Sequence, residues 1–301
     1  LSVYVGLGIG VVSLILFINR ELRSDTPMLE FRVFQYPIFS LATLINMVIT
    51  MAMFAGMILV PIYLQNIRGF TPMESGLLLL PGALLMGVMS PITGWLFDKL
   101  GARPLAVVGL AITAFTTYEF SLLSDETTYR FLVLLYTARM FGMSMLMMPI
   151  MTAALNQLPQ KWNAHGTAMV NTTRMISGSI GTAVLITVMA NRTKEHLVNA
   201  FASKGIELPE GVGSNIASSA SQAALAKLPA DVREQVIIMA HHAQIEGIND
   251  AFLVATGLAV LALLLSFFLK HTKPSETKRR LQGQVEGKKD KIGARRALTD
   301  H

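Results

Sequence analysis

The chain has no cysteine, which excludes a disulfide framework, a thiol nucleophile and a thiolate metal site. Charge is scarce as well. Asp, Glu, Lys and Arg make up 15% of the residues, where soluble domains average about 25%. The signatures of hydrolytic zinc, of a phosphate-cradling glycine loop and of a nucleophile elbow are all missing. A metalloenzyme, an ATP-driven pump and a serine hydrolase are therefore not indicated, and no cofactor is expected. The six His form no metal set, since His241 and His242 are adjacent and point apart on a helix. There is no charged leader ahead of an apolar stretch. The chain opens at Leu1 inside an apolar run, and the expectation is a piece lacking its N-terminal part.

What is abundant is apolar surface. Hydrophobic residues are 52% of the chain and the mean hydropathy is +0.51. About 20 consecutive apolar residues carry a helix across a bilayer. Seven such segments can be read, at 2–18, 38–65, 76–97, 104–123, 131–157, 166–190 and 248–269. The reading is an all-α membrane protein with seven transmembrane helices. Residues 19–37 mix Leu29, Phe31 and Phe34 with charges, as an interfacial connector does. Residues 191–247 are expected to form a long external loop. Within it, 224–229 and 231–246 suggest short helices, the second capped by Asp231.

The net charge of +6 comes from the tail, which from Lys270 onward holds ten Lys/Arg against four Asp/Glu. A basic stretch directly after an apolar helix suits an anionic leaflet better than nucleic acid. Loop charge sets the orientation. Arg20, Arg23, Arg32, Lys99, Arg103, Lys161 and the tail fall on one side, expected to be cytoplasmic. The short loops opposite hold Arg68 and Arg130.

The stretch from Gly76 to Pro104 organises the rest. Its apolar run contains Pro81, Gly82, Gly87 and Pro91, which a membrane helix tolerates when neighbours satisfy the freed backbone groups. It ends in a tight charged turn, and the next apolar run begins at once. Gly101 permits a sharp turn, Gly94 permits close helix approach, and Asp98 can cap or pair across helix ends. Lys99 and Arg103 suit the anionic membrane face.

Gly94-x-x-x-Asp98-Lys99-x-Gly101-x-Arg103 resembles the conformational-switch loop motif of major facilitator superfamily transporters, with Ala102 at one of its basic positions. Three further stretches are similar to the fourteen-helix drug/proton antiporters of EmrB/QacA type, and among them to lincomycin-resistance-type exporters. These are Pro27–Phe34, the run from Pro61 through Gln65 and Ser75 to Gly82, and Asn171–Gly181. The resemblance implies a linker helix and connector over 1–37, the six-helix C-terminal bundle over 38–270, and a basic cytoplasmic tail over 271–301. It further implies proton-driven export by alternating access in a bacterial plasma membrane. The partners implied are the lipid bilayer, small amphipathic drug-like substrates, protons and an N-terminal bundle that carries the coupling acid.

Inside the apolar segments a few polar residues stand out. Arg139 and Arg174 each lie about 13–15 Å into a helix. A charge at that depth costs at least about 2.5 kcal/mol and faces a partner or a cavity. Each either fastens helices or lines a pathway. Asn46, Gln65 and Asn171 are further cavity candidates. Gly178, Gly181, Pro81 and Pro91 are read as shaping helix packing. The leading expectation is the C-terminal half of a proton-coupled multidrug exporter. The alternatives are a narrow-substrate organic-anion carrier on the same fold and a non-transporting membrane remnant.

Overall fold

The computed structural model describes residues 2–23, 30–203 and 230–269. Among them there are seven α-helices and no strand: α1 Ser2–Arg23, α2 Pro37–Ile62, α3 Pro72–Leu100, α4 Ala102–Glu119, α5 Tyr129–Leu155, α6 Asn163–Ser203 and α7 Ala230–Ser266. The last six are long and apolar enough to cross a membrane. The first expected span is a helix of 22 residues. Leu29, the 224–229 stretch and the tail over 271–301 lie outside what is described; Asp231, expected as a cap, is the second residue of α7, and its side chain is outside the description.

Local chemistry sets the helix ends. Pro37 and Pro72 open α2 and α3, where a missing N–H leaves no hydrogen bond unmade. Thr71 and Glu74 form a capping box: Glu74 N donates to Thr71 Oγ1 at 3.3 Å and Thr71 N to Glu74 Oε2 at 2.8 Å. α3 runs unbroken through Pro81 and Pro91 and ends at Gly101, whose φ is +81°. Its N–H closes the helix on the Phe97 carbonyl at 2.8 Å. Because Gly101 accepts a left-handed φ, α4 starts on the very next residue. Ahead of α2, a 3-10 turn over Phe31–Gln35 buries Val33 against the bundle.

Two ends of the bundle can be told apart. At one end the Tyr36 and Trp162 rings meet edge-on at 5.9 Å. At the other, Arg68 Nη1 donates to the Asp125 carbonyl and, at 2.9 Å, to that of Thr127. There too Tyr63 Oη donates to Ser124 O at 2.7 Å and Asn249 Nδ2 to Leu123 O at 2.9 Å. Six crossings alternate between these ends.

The packing has an internal symmetry. α2 packs on α6 and α7 as α5 packs on α3 and α4, while α2 meets α5 and α4 meets α7. Exchanging α2–α3–α4 with α5–α6–α7 maps this pattern onto itself. The first triplet starts at the Tyr36/Trp162 end and the second at the other, so the repeats are inverted. Two apolar cores follow. One gathers Phe39, Ile45, Phe97, Leu105 and Leu146 towards the Tyr36/Trp162 end. The other gathers Leu59, Tyr63, Leu78, Phe120 and Phe252 towards the far end.

One expectation is corrected. Residues 191–247 are not a single loop, because α6 continues to Ser203 and α7 begins at Ala230. The 231–246 stretch is the first part of α7, not a separate short helix. At 1.5 Å per residue, 41 residues make about 60 Å, roughly twice the hydrocarbon thickness. The two helices therefore run past the membrane as a hairpin. A seam of Leu197, Phe201, Val236, Met239, Ala240 and Ala243 holds it together.

Candidate functional site

The buried centre of the bundle is Arg139. α5 carries it between the two apolar cores, with no exposed surface. Its Nη2 donates to the Ala52 carbonyl on α2 at 2.7 Å. Nε and Nη1 have no hydrogen-bond partner. The guanidinium lies against Gly56, at the place a Cβ there would occupy. Any side chain at this position would have to displace the guanidinium. The hydrogen bond to the Ala52 carbonyl links α5 to α2.

Arg174 sits differently. It lies on α6, about 17 Å from the helix start, and is half-buried. It makes no hydrogen bond or ion pair among the described residues. One turn later the helix closes tightly on α2. A Cβ at Gly178 would lie 2.6 Å from the Phe54 ring, and one at Gly181 would lie 2.7 Å from Met51 Cα. So α6 is drawn onto α2 just beyond Arg174, and the guanidinium stays available.

The remaining singled-out residues are dispersed. Asn46 is half-buried on α2, where its Oδ1 accepts from Thr50 Oγ1 at 3.3 Å. With Ile49, Leu146, Met147 and Ile150 it lines a void of about 10 Å³, the size of one water. Asn171 and Gln65 are exposed, Gln65 in the π-turn Tyr63–Ile67 that ends α2. Pro81 and Pro91 are exposed on α3. Gly94 faces Met148, whose sulfur would be 3.5 Å from a Cβ. Asp98, Lys99 and Arg103 are exposed around the buried Gly101. Lys99 Nζ lies over the Trp95 ring, 3.8 Å from its centroid. Asp98 neither caps α4 nor pairs with another helix among the described residues; α4 starts on Gly101 without a side-chain cap. An apolar groove of about 510 Å³ between α4 and α5 opens past Phe115 and Leu134, both well exposed.

Sequence reasoning missed a charged cluster at the far end. His196 on α6 meets Glu246 and Asp250 on α7, and Arg192 on α6 bridges Asp250 and its own helix's Glu195. The signal was present as pairs four apart on two helices, 192/196 and 246/250. It went unread because a loop was expected there. No group of three or more His, Asp or Glu suited to a metal is found among the described residues.

Six long apolar helices in two inverted triplets, with polar groups at few interior positions, define a multi-pass membrane carrier. The comparison with known families agrees: a model of the Major Facilitator Superfamily matches residues 2–182, and the chain belongs to that family. The family consists of carriers, not enzymes. The chain is 45% identical over 289 residues to an uncharacterized MFS-type transporter, YhcA, of Bacillus subtilis (strain 168), covering 92% of this chain and 53% of that protein. It is 36% identical over 272 residues to the lincomycin resistance protein LmrB of the same organism, covering 90% and 50%. To the tetracenomycin C resistance and export protein of Streptomyces glaucescens it is 26% identical over 267 residues, covering 86% and 49%. The chain spans about half the length of the curated relatives it matches.

Proposed function

We propose that this chain is the C-terminal half of a proton-coupled drug exporter, which moves amphipathic drugs by alternating access against an N-terminal bundle. The names of the resistance and export proteins above support the substrate class. One structural observation carries the two-bundle reading. α3 and α6 hold equivalent places in the inverted repeat, and they are the least buried of the six spans, at 17% and 22% of their apolar windows. Apolar side chains stand uncovered along both, among them Leu77, Leu84 and Val88 on α3 and Met175 and Ile180 on α6. Two matching helices left open this way suit a second bundle rocking across them. In this reading a second bundle meets Asp98, which is exposed and unpaired at the end of α3, and the Arg174 guanidinium.

The test is transport. The chain joined to the upstream part of its reading frame is expected to lower dye and lincosamide accumulation in a pump-deficient bacterium, and a protonophore should abolish the effect. Efflux that survives collapse of the proton gradient would overturn the coupling. Efflux by this chain alone would overturn the two-bundle reading.

A second reading, a narrow carrier for organic anions, is favoured by the unpaired Arg174. Arg174→Ala would then lose anionic substrates selectively, and Arg174→Lys would keep them, since a point charge suffices. Equal loss of a cationic and an anionic substrate in both variants would return Arg174 to a packing role.

A further inference from the structure

Beyond the membrane the α6–α7 hairpin carries the cluster that sequence reasoning missed. His196 Nδ1 lies 3.0 Å from Glu246 Oε2, and His196 Nε2 lies 2.9 Å from Asp250 Oδ2. Glu246 and Asp250 are one turn apart on α7, so they bracket the ring. Arg192, one turn before His196, reaches Asp250 Oδ2 with Nε at 3.5 Å and Glu195 Oε2 with Nη1 at 2.7 Å. The His196 side chain is 30% exposed, so the cluster is open to the aqueous phase.

The contacts fix a proton count. A neutral imidazole has one N–H and one lone pair, and only the imidazolium donates from both nitrogens. An ionised carboxylate accepts and never donates. A neutral ring between two ionised carboxylates therefore sets its lone pair against an oxygen about 3 Å away. The arrangement closes when it holds one more proton, on the ring or on one of the carboxyls. Groups this close share that proton as a unit.

We propose that His196, Glu246 and Asp250 form a proton-binding site at the bundle end opposite the Gly101 turn, and that the bound proton clasps α6 to α7. The charged groups facing it among the described residues are few. α6 supplies Arg192 and Glu195, and α7 supplies Glu246 and Asp250. The loop between α4 and α5 carries Asp125, which faces His242 Nδ1 at 3.8 Å. Arg192 remains charged throughout and anchors Asp250 whether or not the proton is bound. Loss of the proton then opens one of the two ring contacts and loosens the hairpin above it. The inference does not depend on drug export, and its test involves no transport.

The measurement is amide hydrogen exchange of the full chain in lipid nanodiscs, corrected for intrinsic rates, at about pH 6 and about pH 8. Protection over residues 194–202 is expected to fall about tenfold at the higher pH, the equivalent of one hydrogen bond to a charged group. In His196→Gln the pH difference should vanish. In Glu246→Gln the amide can donate to the ring nitrogen, so protection should stay high at both pH values. His242→Gln should behave as the parent does. Equal protection at both pH values in the parent would overturn the proposal. So would a fall that persists in His196→Gln or in Glu246→Gln, or one that disappears in His242→Gln.

Discussion

Gly56 bears no side chain because the Arg139 guanidinium occupies the space one would need. Gly56→Ala must displace a fully buried arginine together with its bond to the Ala52 carbonyl. Overpacking of this kind costs about 1–3 kcal/mol. Thermal unfolding in detergent should therefore shift downward for Gly56→Ala. Gly87→Ala on α3, where a Cβ meets nothing within 4 Å, should match or slightly exceed the parent, since Ala favours helix. Asp98 supports an expectation of the other kind. It is exposed and unpaired, so Asp98→Asn should leave membrane abundance near that of the parent. If its carboxylate biases one bundle arrangement, efflux by the full-length protein should drop at equal abundance. Unchanged efflux would make the motif dispensable. Depth along a helix made Arg139 and Arg174 look equivalent in the sequence. Burial separates them, because what faces a side chain across a bundle is set by the neighbouring helix. No local pattern announces that Gly56 stands opposite Arg139.

At the level of elements, composition located the six bundle spans, and it failed where a helix leaves the membrane. Apolar density falls after residue 190, and a hydropathy reading ends the helix there. Density reports the surrounding solvent, whereas a helix persists as long as it has a partner. Leu197 and Phe201, four residues apart, share one face of α6 and meet Val236, Met239 and Ala240 on α7. The α6–α7 seam is accordingly longer than its symmetry mate between α3 and α4. It is also the clearest break in the inverted repeat. Leu197 is 1% exposed, so Leu197→Ala should cost about 2–5 kcal/mol of local stability. Hydrogen exchange should then quicken over 194–203 and 236–243 and stay unchanged in α2 and α5. Quickening throughout the bundle would mean that the hairpin and the membrane helices open as one unit.

For the whole molecule the open matter is which end faces the cytoplasm, and loop charge offers an answer. Around the Tyr36/Trp162 end lie Arg32, Lys99, Arg103 and Lys161. Around the other, the short loops hold Arg68 and Arg130. Arg68 is already committed to the Asp125 and Thr127 carbonyls, which gives it a structural reason to be there. The hairpin adds Arg192, Lys194 and Arg233, but long segments cross largely regardless of charge. The Tyr36/Trp162 end should therefore be cytoplasmic, with the hairpin and its proton site outside. The lack of native cysteine makes this directly testable, because single cysteines report without background. Glu126 and Lys161 are both exposed, at opposite ends. In intact cells, an impermeant maleimide should label Glu126→Cys and spare Lys161→Cys until the membrane is opened. The reverse pattern would invert the molecule. It would also place the His196 cluster in the cytoplasm, where external acid could not reach it, and the clasp would then answer to internal pH alone.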